Sequence, residues 1–152
     1  MTQRRPQRLL EIVRELYRAM LDRDGRMNLA ELVDAVRAAV AQDLSLVEVD
    51  PLVWGVVELV DHEATGAANR GMRPGVTAAG TQLPMFDEDG ALALGEGRRV
   101  RHAVAVRPEI LEWMAIQTQN HLAETGAYSR KMAAAQEWLR HLPDDTTPLG
   151  TI

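Results

Sequence analysis

Cysteine is absent from this 152-residue chain, which excludes disulfides, thiolate metal ligands and a thiolate nucleophile. No apolar run has the length of a transmembrane span or a signal peptide, so the expectation is a soluble, cytoplasmic protein with no membrane contact. There is no glycine-rich phosphate loop opening a helix after a strand, and no nucleophile elbow. The histidines, His62, His102, His121 and His141, lie far apart without the His-x-x-x-His spacing that puts two ligands on one helix face. His121 with Glu124 supplies two ligands, whereas a catalytic zinc site needs three. No catalytic residue, metal or cofactor is expected, and the chain reads as a non-enzyme.

Lysine occurs once among 17 basic residues and phenylalanine once in the whole chain, Phe86. At 46% apolar residues the sequence can bury one modest core, or two small ones joined by a linker. The net charge is −5 and unevenly spread. Residues 27–69 carry one arginine against eight acids, which argues against a broad nucleic-acid surface, since that needs clustered cations. Any DNA contact falls to Arg4, Arg5 and Arg8 or to Arg98, Arg99 and Arg101. Neighbouring Glu11, Glu15 and Glu96 make solvated charge the plainer reading of both clusters.

Periodicity predicts a mainly α fold. Leu9, Ile12, Val13, Leu16, Tyr17 and Met20 mark a helix over residues 7–21, ended by Asp22-Arg23-Asp24-Gly25. Asn28 as N-cap with Glu31 three residues on opens a second helix, to about Ala41. Asp50-Pro51 repeats the start signal for a third, whose Leu52, Val53, Trp54, Val56, Val57, Leu59 and Val60 read as the centre of an N-terminal helical domain over residues 1–71. Residues 72–90 read as a flexible linker. Residues 91–143 follow as a β-hairpin plus a long helix. In the hairpin, Leu92, Leu94, Val100, His102, Val104 and Val106 alternate across Gly95-Glu96-Gly97, with Arg99 and Arg101 on the polar face. Pro108 opens the helix, with a stripe Leu111, Met114, Thr118, His121, Thr125, Tyr128, Met132, Ala135, Leu139 and Leu142. It is either a coiled-coil seam or, with a break at Gly126, a helical hairpin. A lone stripe must find cover, so a homo-oligomer is expected. Residues 144–152 read as a disordered tail.

Two segments, Met20 to Glu31 and Met85 to Glu96, resemble an EF-hand loop, with acids at the third and fifth positions, glycine at the sixth and glutamate at the twelfth. Methionine holds the first position in both. That loses a carboxylate, and the expectation is an Asp-Gly turn without calcium. Three helices followed by a hairpin also resemble the winged-helix layout. The third helix offers Glu58, Asp61 and Glu63 where base readout needs Arg, Lys, Asn or Gln.

Gln82-Leu83-Pro84-Met85-Phe86 is the segment that linker composition does not explain. It resembles the bacterial sliding-clamp-binding peptide, which would make Gln82 the polar anchor and Leu83, Met85 and Phe86 the pocket-filling side chains, with Pro84 variable. Burying three such side chains is worth roughly 1.5 to 3 kcal/mol each, less the cost of ordering the tether, so such a peptide binds at about micromolar strength or weaker. The layout as a whole is similar to small uncharacterised proteins of actinobacterial phages and prophages, on Gly97-Arg98-Arg99-Val100-Arg101 followed by a helix rich in Glu, Leu and Ala. The resemblance implies a phage-type interaction protein, in the host cytoplasm, docking on a replication clamp or a comparable hydrophobic groove. The alternatives are a DNA-binding transcriptional or recombination regulator and an oligomeric helical scaffold.

Overall fold

The computed structural model describes residues 5–66, 75–120 and 126–152, and the protein is mainly helical with a small antiparallel sheet. Helix α1, Arg5–Asp24, buries Leu9, Val13, Tyr17 and Leu21, one side chain per turn. Gly25 ends it with φ of 78°, donating its N–H to the Leu21 carbonyl at 2.7 Å. A Cβ there would also fall 2.4 Å from Val104, so two constraints require glycine. Strand β1, Arg26–Asn28, leads into α2, Leu29–Ala41, where the Asn28 side chain caps as expected by accepting from the Ala30 N–H at 2.8 Å.

The third helix begins later than its start signal. A 3-10 helix, Leu44–Leu52, contains Pro51 and runs directly into α3, Val53–Thr65. Asp43 caps that 3-10 segment through Ser45, and no side chain caps α3, because the preceding turn already occupies its first amides: the Val53 N–H donates to the Asp50 carbonyl. Val53, Val57 and Val60 close the first core against α1 and α2.

Strands β2, Gly75–Val76, and β3, Gln82–Leu83, form a two-stranded ribbon inside the segment read as linker. Strands β4, Ala91–Ala93, and β5, Arg98–Arg101, form a hairpin at the expected place, but its second strand ends at Arg101 because His102–Val104 is a 3-10 turn, and Arg99 and Arg101 face the helices in place of solvent; β1 adds to it in the order β1-β5-β4, all antiparallel. The register pairs Met27 with Arg99, Ala93 with Arg99 and Ala91 with Arg101, while Arg26 and Leu92 both pair with Val100. Alternation therefore gives the sheet two occupied faces. Met27, Ala91, Arg99 and Arg101 face the three helices; Leu92 and Val100 face a second core with Leu83, Phe86, Leu94, Ala105, Ile110, Ala135, Trp138, Leu142 and Leu149.

Of the two alternatives for the C-terminal element, a single long helix is not seen: α4, Arg107–Asn120, and α5, Gly126–His141, are separate and pack on each other with Trp113 and Trp138 stacked at 6.1 Å. Of the predicted stripe, Ala135 and Leu142 are buried and Met114 and Leu139 pack against the second core, while Leu111 is exposed and Ile110 is buried in its place; His121, Thr125 and the Tyr128 side chain fall outside the described residues. Residues 144–152 are not a loose tail either. Leu149 is fully buried, its N–H donates to the Ala105 carbonyl, the Gly150 carbonyl accepts from Ala78, and the Thr77 hydroxyl bonds the Ile152 carbonyl.

Candidate functional site

The apolar peptide is part of the second core. Leu83 is 0% and Phe86 5% exposed, while Gln82 on β3 faces solvent and Met85 is half-buried. Two side chains from distant elements hold the backbone around it. Trp138 donates its indole N–H to the Pro84 carbonyl at 2.8 Å, and His102 Nδ1 accepts from the Asp87 N–H at 3.1 Å. The His102 ring lies 5.2 Å from Trp138 and 6.2 Å from Phe86. Burial pushes its pKa down to about 4, so it is a neutral acceptor at neutral pH. Met85 holds a φ of 58°, a conformation disfavoured for a residue with a Cβ, and Gly75 is required opposite because a Cβ would sit 2.1 Å from the Phe86 carbonyl oxygen. Freeing Leu83 and Phe86 for another protein costs roughly 3 to 6 kcal/mol, which weakens a micromolar contact by about 100- to 10,000-fold. The expected free docking peptide is, in this fold, a packed turn.

The arginines singled out for nucleic acid are tied internally. Arg99 makes a bidentate pair with Asp61 on α3 at 2.7 and 2.9 Å, the two side chains 12% and 14% exposed. Tyr17 on α1 donates to the same carboxylate at 2.9 Å, and burial followed by the charge of Asp61 raises its phenol well above the usual range. Arg101 pairs with Asp22, and Arg98 with Glu112, whose carboxyl is lowered chiefly by that hydrogen bond. Arg8 meets Asp43, whereas Arg4 and the Arg5 side chain lie outside the described residues. Arg26 adds a bidentate pair with Glu109 of α4, so ion pairs join both faces of the sheet to their helices.

These pairings also account for the loops that resemble EF-hands. Asp22 serves Arg101, and the Asp24 side chain accepts from the Arg26 N–H; Asp87 accepts from the Asp89 N–H. Among the described residues no three His, Asp or Glu side chains converge. A cleft of about 570 Å³ between α1, α3 and β5 is lined by Arg14, Arg18 and Arg101 facing Asp22, Glu63 and Asp89. Arg14 pairs with Glu63 at 3.1 Å, so its walls are close to neutral.

The remaining candidate is the outer face of α3. Trp54, Gly55, Glu58, Leu59 and His62 fall on one arc at i, i+1, i+4, i+5 and i+8, and all are exposed. Trp54 is 47% and Leu59 51% exposed, with Leu52 beside them at 48%. Gly55 costs this helix stability yet nothing lies within 4 Å of the place its Cβ would take. In sequence, Leu52, Trp54 and Leu59 read with the valines as part of the core, and only the acids as its polar face. The signal that marks its outer face is the run itself: Leu52 to Val60 is apolar around too much of the helix for one-sided burial, with a glycine in the middle. No protein-family model, curated protein or solved structure matches the chain.

Proposed function

We propose that this protein is a non-enzymatic interaction module with a winged-helix layout that binds another protein. With the β2-β3 ribbon as an insertion after α3, the order helix, strand, helix, helix, strand, strand and the sheet order β1-β5-β4 make the arrangement in which a third helix is presented for recognition and a hairpin flanks it. The observation that carries the protein-binding reading is the chemistry of that third helix. Its exposed arc offers Trp54, Gly55, Glu58, Leu59 and His62, which suits an apolar partner and repels phosphate. The same layout favours a second reading, a DNA-binding regulator that would use Arg98, still half-exposed at the hairpin, together with the N-terminal arginines. Docking on a sliding clamp through Gln82 to Phe86 would require that turn to leave the second core first.

Titration of a mixed-sequence DNA duplex over a salt series separates these. Binding to protein rather than DNA predicts affinity no stronger than the millimolar range at physiological salt. Tight binding that falls steeply with salt and is lost in Arg98→Ala would overturn it in favour of the regulator.

A further inference from the structure

Resting on the protein-binding reading above, we infer that the outer face of α3 seats a basic amphipathic helix of a partner protein. Three features of the face select this occupant. Leu52, Trp54 and Leu59 present apolar surface that the fold leaves uncovered. Gly55 sits between Trp54 and Leu59 with open space over its Cα, which lets a second helix backbone come close. Charge decides the rest. Of the acids in residues 27–69, Asp43, Asp61 and Glu63 are matched by Arg8, Arg99 and Arg14, while Glu58 on the arc, and Asp50 two residues before Leu52, have no ion-pair partner among the described residues. The face thus keeps negative charge next to its apolar side chains, and lysines or arginines flanking an aliphatic stripe complement both.

A second copy of this chain fits less well, because an isologous contact sets this acid-bearing face against an identical one, with no lysine or arginine on the arc to offset it. A nucleic acid fails on the same sign.

The test uses the full chain and a labelled designed helix of leucine and lysine, with a leucine-and-glutamate counterpart, followed by fluorescence anisotropy. Saturable binding of the lysine peptide is expected, at least tenfold tighter than its counterpart. Leu59→Ala and Trp54→Ala should each weaken it about tenfold, and Glu58→Lys by a similar factor. Leu111→Ala, an exposed apolar site on α4, should leave it unchanged. Equal affinity for the two peptides, or loss in Leu111→Ala as large as in Leu59→Ala, overturns the inference. So does a dimer of the free protein that Leu59→Asp dissolves, which would make the occupant a second copy. Failure here without duplex binding leaves a protein-binding module with a different partner chemistry, whereas salt-dependent duplex binding removes the underlying reading as well.

Discussion

The turn at Leu83 to Phe86 and the outer face of α3 each hold large apolar side chains, and they differ in what surrounds them. Leu83 and Phe86 are enclosed in the second core with Trp138, the His102 ring and Leu149 of the C-terminal 3-10 turn, whereas Trp54 and Leu59 are 47% and 51% exposed. One is a turn and the other a helix, yet neither composition nor local secondary structure explains that difference in burial. What separates them is long-range packing: a two-faced sheet gives the turn a second core to enter, while α3 spends its inner face on the first core and, among the described residues, has no further layer outside it. An apolar segment becomes a candidate docking surface only after the fold has declined to bury it.

The largest effect that could break this comparison is on stability. Leu83→Ala with Phe86→Ala should cost at least about 5 kcal/mol, read as the urea midpoint, because both cavities open in a closed core. Trp54→Ala with Leu59→Ala should stay within about 1 kcal/mol of wild type. Comparable losses from the two pairs would contradict the assignment. Next, Arg99→Ala strands the Asp61 carboxylate, with Tyr17, between α1, α3 and β5, and should cost about 3 kcal/mol in the same assay. An effect below about 1 kcal/mol would mean that this bridge does not tie sheet to helices.

Acid should act on the turn and not on α3. His102 has a folded pKa of about 4 against roughly 6.5 in the unfolded chain. The unfolded state therefore binds the extra proton first: this stability is complete above about pH 6.5 and is lost as pH falls toward 4, up to about 3 kcal/mol. Denaturant titrations across that range should show the loss in wild type and a flatter profile in His102→Gln. A parallel fall in both would remove His102 from the account. The smallest effect sharpens the other side. Gly55→Ala should stabilise α3 by about 0.5 to 1 kcal/mol, since the new Cβ meets nothing, while weakening the docked helix.

Some of this was legible from residue order alone. Helices α1 and α2 follow their apolar spacing, Asn28 caps as its type and position require, and the β4-β5 hairpin follows alternation around Gly95-Glu96-Gly97. These are local facts with local causes. The Asp50-Pro51 start signal falls two residues ahead of α3, and the 3-10 helix Leu44–Leu52 that leads into it carries no distinctive period in the sequence. The linker reading of residues 72–90 rests on composition, and nothing near Phe86 in sequence announces that Trp138 donates to the Pro84 carbonyl. Likewise Arg98, Arg99 and Arg101 read as one basic cluster, although alternation sends Arg99 and Arg101 to acids on α3 and α1. The candidate surface was the least visible part. Exposure of Trp54 and Leu59 is a property of what the other elements leave undone, and its one local sign is the breadth of the apolar run Leu52 to Val60 around the helix.

Hydrogen exchange, recorded residue by residue with and without the leucine-and-lysine helix, tests the central claim most directly. In the free protein the amides of Phe86 and Asp87 should already be protected by their bonds to Leu83 and His102, and addition of the peptide should slow exchange along Val53–Thr65 while leaving those two unchanged. Fast exchange at Phe86 and Asp87 in the free protein, or peptide-induced protection confined to residues 82–87, would contradict it by making the turn, and not α3, the surface that waits for a partner.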